Sequence, residues 1–298
     1  MRIVFFGTSE VGLPVLDALF KAHEIVHIIT SPDSKKGRHQ ESSPTPIALF
    51  AQQHNIPVSK PEKVKNNPKI FELLNSLQAD IFVVVAYGKI LPINLLEIPP
   101  LKTINVHFSL LPKYRGPAPI QFAILNGETR TGTTIFILDE LVDHGQILSA
   151  RAMDIAPDDT FTTLSNKLSI ISAELILTTL LEYQAGTIIP QEQNHSMASK
   201  TSIISKADGE VNFKESTAQE IHNRFRAFTP WPGIWIKYKN EPLKILSCSP
   251  DPNPTTNNLI TCKDNTFLRI DSVQLPGKNP TTMKDFLNGH QDFNYLAK

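Results

Sequence analysis

Four segments in the first 110 residues, 2–6, 24–30, 80–87 and 103–107, are short and rich in Val, Ile and Phe, which suits fully buried strands. A strand with one wet face would alternate apolar and polar residues. A continuous apolar run needs cover on both faces, as helices supply for a parallel sheet. Helical patterns at 11–22, 46–55 and 68–77 separate the runs. Further strands are expected at 133–138 and 146–155, and a long helix at 160–185 opens on an Asp159/Thr160 cap. This alternation predicts an α/β, Rossmann-like doubly wound parallel sheet with helices on both sides.

The texture changes after Gly186. Residues 187–205 are polar and without period, then short strands follow at 210–213, 233–238, 243–249, 258–262 and 267–273, with a helix at 217–228. That pattern predicts a second, smaller domain with one inserted helix, a β-barrel (OB-like) or a sandwich. With 298 residues there is room for two domains. The expected division is 1–187, a linker at 188–205, and 206–298. Hydrophobic residues make up 41% and charged residues 19%, with no formal net charge, so composition suits a globular chain without a bulk field drawing it to nucleic acid or membrane. Cys248 and Cys262 have no metal or disulfide spacing and read as buried thiols in a reducing compartment. The start carries no signal-peptide pattern, and no run approaches about 18 uninterrupted apolar residues. A cytoplasmic monomer that avoids membranes is the expectation.

Two stretches invite a chemical reading. The opening FFGTSEVG has G-x-x-x-x-G but not G-x-G-x-x-G, and no acidic residue ends the second strand, so a dinucleotide site is not expected. The segment INVHFSLLPKYRGPAPI (104–120) places Asn105 and His107 on one face of a strand, at its exit, before a Pro-rich loop with Lys113 and Arg115. DELVDHGQIL (139–148) adds Asp143 in a Gly-containing turn. An amide, an imidazole and a carboxylate in one crevice can hold an oxyanion and move a proton. Singly, each has a plain structural reading: a core histidine, a core amide, a turn aspartate. Ser109 lacks any nucleophile elbow, so the constellation suits direct transfer to an attacking substrate.

Asn105-Val106-His107, Ser109-Leu110-Leu111-Pro112, Lys113-Tyr114-Arg115-Gly116 and Asp143-His144-Gly145 together resemble the signature of the 10-formyltetrahydrofolate-dependent formyltransferases. The likeness spans nearly the whole chain, including ADIFVVVAYGKILP (79–92), ISKADGEVNF (204–213), RAFTPWPGIW (226–235) and VQLPGKNPTTMKDFLNG (273–289). SPDSKKGRHQESSPTPI (31–47) is similar to an insertion in the branch that acts on methionyl-tRNA. The resemblance implies catalysis by Asn105, His107 and Asp143, without metal. It implies folate contacts from Ser109, Leu110, Leu111 and Pro112 and from backbone of 87–91. It also implies a charged initiator methionyl-tRNA as acceptor, read by Arg38 with Lys35 and Lys36 near phosphates. Three features depart from the pattern: a less basic His39-Gln40-Glu41, a bulky Phe108, and a C-terminal region with only a slight basic excess. Arg224 and Arg226 are read as a solvated face first and phosphate contacts second, and Trp231-Pro232-Gly233 as a packed corner. Transfer to an amino sugar nucleotide, and a non-catalytic folate- or RNA-binding relative, are the competing readings.

Overall fold

The computed structural model describes residues 1–36, 41–252 and 259–293. Contacts divide the chain into two compact units that interleave in sequence. The first holds Met1–Pro119, Arg130–Asp154 and Ser165–Thr201; the second holds Ile120–Thr129, Ile155–Leu164 and Ser202–Lys298. This division differs from a break at 187 and 206: residues 188–201 fall with the first unit, while 120–129 and 155–164 fall with the second.

In the first unit, β1 (Arg2–Gly7), β2 (Glu24–Ile29), β5 (Val58–Ser59), β6 (Ile81–Val85) and β7 (Thr103–His107) form a parallel array in the order β5-β2-β1-β6-β7. Every residue of β6 is buried, as are the last five of β1, which matches their unbroken apolar sequence. The chain moves outward from β1 to β2 and β5, then returns to β6 on the other side of β1. That reversal creates a crevice at the carboxyl ends of β1 and β6. Helices α1 (Leu13–Ala22), α2 (Pro46–Gln53), α3 (Pro68–Ser76) and α4 (Ile93–Leu96) fall in the connections. Phe6, Phe82, Leu74, Leu95 and Leu96 share one core cluster, with the Phe6 and Phe82 rings 5.5 Å apart. A small antiparallel hairpin, β3 (Ser34–Lys36) and β4 (Glu41–Ser43), occupies the resembling insertion.

The sheet is not parallel throughout. After α5 (Pro119–Leu125), β8 (Arg130–Ile137) and β9 (Ile147–Asp154) extend it antiparallel beyond β7. The 24-residue helix α6 (Phe161–Gln184) is long and apolar enough to cross a membrane by length and composition. In the first unit its polar buried side chains meet the sheet instead: Ser172 Oγ donates to Thr133 Oγ1 at 2.8 Å, and Thr179 and Ser149 hydroxyls pair at 2.6 Å. The expected cap is present, with Thr160 Oγ1 accepting from Thr163 N.

The second unit carries a five-stranded antiparallel sheet, with β10 (Ile234–Tyr238), β11 (Glu241–Pro250), β13 (Phe267–Gln274) and β12 (Leu259–Thr261) in that order. β14 (Thr281–Thr282) pairs with β13 beyond the end of β12, and α8 (Met283–Gly289) follows. Register shifts at Ile245–Cys248 bend β11, which suits a curled, half-barrel sheet. Helix α7 (Ala218–Phe228) begins at a Thr217/Glu220 capping box. The strand expected at 210–213 reduces to one bridge between Glu210 and Trp235. Arg226 is buried, not solvated: its guanidinium donates to Asp159 O and Asn223 Oδ1. Trp231 is 58% exposed, so the corner there is closed by backbone, with Gly233 N donating to Phe228 O.

Candidate active site

β7 presents Asn105 and His107 on one face and buries Ile104 and Val106 on the other. Asn105 is half-buried, and among the described residues its amide has no hydrogen-bond partner. His107 is almost fully buried, at 5% exposure. Its Nε2 lies 2.9 Å from the Tyr114 carbonyl. A carbonyl only accepts, so Nε2 carries the proton. Nδ1 faces Asp143 Oδ2 at 3.6 Å, an ion-pair distance longer than a hydrogen bond. Nδ1 is therefore the ring nitrogen left facing the carboxylate.

Asp143 reaches this histidine by an indirect route. Ile137 lies opposite Ile104, and Leu138 N donates to Thr103 O, so the β8–β9 connection departs beside the start of β7. From Thr103 to His107 a strand advances about 13 Å, at about 3.3 Å per residue. The loop 138–146 must fold back along the sheet to bring its carboxylate to the imidazole. Its turn has backbone reasons for its composition. Asp143 has φ of 49°, and any Cβ at Gly145 would overlap the Ile137 carbonyl. Asp143 Oδ2 accepts a 2.6 Å bond from Gly116 N, and His144 Nδ1 lies 2.7 Å from Asp139 Oδ2.

The Ser109–Pro112 loop is pinned rather than free. Ser109 Oγ donates to Lys113 O at 2.6 Å, while Thr134 Oγ1 donates to Ser109 O at 2.7 Å and accepts from Leu111 N at 3.2 Å. Thr133 Oγ1 donates to His107 O, and Ser172 stands behind Thr133. Phe108 is buried. At the exits of β1, β2 and β6, Thr8 Oγ1 donates to Tyr87 O at 3.1 Å and pairs with Ser31 Oγ at 3.0 Å. Gly88 has φ of 78° with open space beside it. Tyr87 itself is buried, its hydroxyl has no partner among the described residues, and burial pushes its pKa up to about 12.

The three polar residues read from sequence thus come together in the first unit: Asn105 beside His107 on one strand face, and Asp143 against the ring. Arg38 lies outside the described residues. Sequence reading missed Tyr114 as the partner of His107, Thr134 as the anchor of the 109–112 loop, and Gln193, which carries no motif or period. A pocket of about 310 Å³ in the second unit is lined by Phe122, Leu125, Ile204, Arg224 and Phe228 among others, and contains none of the three.

The formyl transferase pattern matches residues 1–180, and the formyl transferase C-terminal domain pattern matches residues 203–291. The chain belongs to the formyl transferase family. A methionyl-tRNA formyltransferase of Sulfurihydrogenibium sp. (strain YO3AOP1) is 38% identical over 304 residues, spanning 98% of this chain and 97% of the relative. One from Koribacter versatilis is 38% identical over 301 residues, spanning 98% and 96%. Among solved structures, the sugar 3N-formyl transferase WlaRD, solved with dTDP and 5-N-formyl-THF, superposes at a TM-score of 0.68 with 21% identity, over 94% of this chain and 99% of that one. An N-formyltransferase from Helicobacter canadensis superposes at 0.66 with 21% identity, over 91% and 98%. At such identity the formyl transferase and these structures share a fold, and the end-to-end sequence relatives carry the finer argument.

Proposed function

We propose that this formyl transferase moves the formyl group of 10-formyltetrahydrofolate onto the amino group of charged initiator methionyl-tRNA, as a cytoplasmic monomer serving translation initiation. The observation that carries the reading is the end-to-end match to relatives named methionyl-tRNA formyltransferase, through the C-terminal segment as well as the catalytic one. In it, the first unit, with residues up to Thr201, is the catalytic part and 206–298 an RNA-facing part, with Arg38 reading the acceptor end.

The chemistry follows from the site. The methionyl nitrogen attacks the formyl carbon, and negative charge grows on the formyl oxygen. The free Asn105 amide is the donor to that oxygen, and a donor of this kind is worth about 10² to 10³ in rate. His107 is fixed at Nε2 by the Tyr114 carbonyl, which leaves Nδ1 and the Asp143 carboxylate as the pair that handles protons. The new C–N bond forms, the amine proton passes through that pair to N10 of the folate, and the old C–N10 bond breaks. Folate contacts are assigned to Ser109, Leu110, Leu111 and Pro112. The pinning of that loop by Thr134 supports this, since a held loop binds without an ordering cost.

The deciding experiment offers a labelled formyl donor and three acceptors side by side: charged initiator tRNA, charged elongator methionyl-tRNA and an amino sugar nucleotide. Label is expected on the initiator tRNA. Preferential label on the sugar nucleotide would put the chain in the other branch, and no label on any acceptor would leave a non-catalytic relative.

A further inference from the structure

The segment 191–201 has no sequence period, yet it grips both groups that hold the His107 ring. Ser199 Oγ accepts from Tyr114 N at 2.9 Å, Ser199 O accepts from Arg115 N at 2.9 Å, and Thr201 N donates to Arg115 O at 2.7 Å. Tyr114 is the residue whose carbonyl accepts from His107 Nε2. On the other side of the ring, Gln193 Nε2 donates to Asp143 O at 3.1 Å and to Gly145 O at 2.8 Å. Its Oε1 accepts from Arg115 Nε at 3.2 Å and Nη2 at 2.7 Å. One buried carboxamide, 5% exposed, thus makes four bonds and uses both its N–H groups and both oxygen lone pairs.

A second hold repeats the first. Arg115 Nη2 donates to His195 Nδ1 at 2.8 Å, and the His195 ring stacks on His144 at 4.1 Å and 2°. His144 is the residue next to Asp143. The segment therefore meets the Asp143–Gly145 turn at its backbone and at its middle side chain.

We propose that residues 191–201 form a clamp of the catalytic unit, in which Gln193 is a positioning residue for Asp143 and must be an amide. This rests on the reading that Asp143 works through His107. The chemistry of the position excludes the near-isosteric alternatives. Glutamate would still accept from Arg115, but would turn a carboxylate oxygen toward the Asp143 and Gly145 carbonyls and leave both without their donor. Methionine would fill the volume and leave a buried guanidinium short of two acceptor contacts. In either case the turn carrying Asp143 at φ 49° loses its brace, and the 3.6 Å approach to Nδ1 is no longer fixed. Misplacement near 1 Å at a reacting pair costs about 10²-fold.

The test uses the full-length enzyme with formyl donor and charged initiator tRNA, and the variants Gln193→Glu, Gln193→Met, Asp143→Asn and Gln193→Met/Asp143→Asn. Expected for both Gln193 variants is a kcat lowered about 10- to 100-fold, with both KM values within about twofold of parental. The limb of the kcat–pH profile that depends on Asp143 should move. The double variant should be no slower than Asp143→Asn by more than about twofold, because the two act as one unit. If Asp143→Asn is impaired while a folded Gln193 variant turns over at the parental rate, the clamp is wrong and the catalytic reading stands. A parental kcat in Asp143→Asn sinks the catalytic reading instead. Should Gln193→Met fail to fold, Gln193→Glu decides alone, because it keeps the shape and the Arg115 contact.

Discussion

His107 has one nitrogen committed to a carbonyl and one facing a carboxylate, which makes its role specific enough to measure. His107→Ala, Asn105→Ala and Asp143→Ala are each expected to lower kcat by about two to four orders of magnitude, with combinations far from additive and folate affinity much less changed. Stopped-time assays with labelled donor check this, and full activity in His107→Ala would end the mechanism. Asn105 and His107 were legible because a two-residue spacing on a strand puts both on one face. The route of Asp143 was not, since nothing in 139–148 says that the loop doubles back along the sheet. Tyr87 yields a prediction of opposite sign. Its buried hydroxyl makes no hydrogen bond to the described residues, and such a group costs about 1–3 kcal/mol. Tyr87→Phe removes it while keeping the ring that meets Phe6 edge-on at 5.6 Å. The urea midpoint should rise or hold, with unchanged slope; a fall of more than about 1 kcal/mol would mean that the hydroxyl has a partner, such as water.

Elements were legible where a period or a cap spoke for itself. The short segments rich in Val, Ile and Phe located β1, β2, β6 and β7, and the Asp159/Thr160 start of α6 held. The direction of β8 and β9 was not readable, because β8 buries six consecutive residues, three of them threonines, and so shows no one-faced alternation that would mark it as antiparallel. The 210–213 segment failed as a strand because only one residue finds a pairing partner, and β14 and α8 are too short to announce themselves. Helix α7 was expected at 217–228, and the capping box that the structure shows at its start can be tested. Thr217 N and Oγ both donate to Glu220 Oε2, while Thr217 Oγ1 accepts from Glu220 N. Thr217→Ala should cost about 1 kcal/mol of stability by urea titration. These bonds to Thr217 hold the Glu220 carboxyl below its usual pKa of 4.5. A depressed carboxylate stabilises fully above the unfolded value and loses that contribution as pH falls through the folded one. Glu220→Gln keeps an oxygen for Thr217 N and removes the charge, so it should flatten the acid side of the stability–pH curve below about 4.5, and an unchanged curve would show that ionisation of this carboxyl adds nothing to stability.

Over the whole molecule, the formal charge sums to zero, with 29 basic and 29 acidic residues. A protein acting on a polyanion without bulk positive charge must rely on few phosphate contacts and on specific ones. Each neutralised phosphate contributes about −0.9 to the slope of log K against log salt, so two contacts lose only about tenfold between 50 and 200 mM, against about 10³ or more for six to ten. The kcat/KM for charged initiator tRNA should show this shallow dependence. Arg38, in the insertion bracketed by β3 and β4, is the residue the family likeness assigns to the RNA. A guanidinium forked onto a base edge is worth about 1–3 kcal/mol. Arg38→Ala should lower kcat/KM for charged initiator tRNA by about 10- to 150-fold at every salt concentration, leaving the KM for the formyl donor unchanged. A constant ratio across salt separates base reading from phosphate attraction, whose loss would shrink as salt rises. If the variant instead matches the parent throughout the range, the acceptor end is read by other residues, and a steep parental slope would mean that a local basic face outweighs the neutral total.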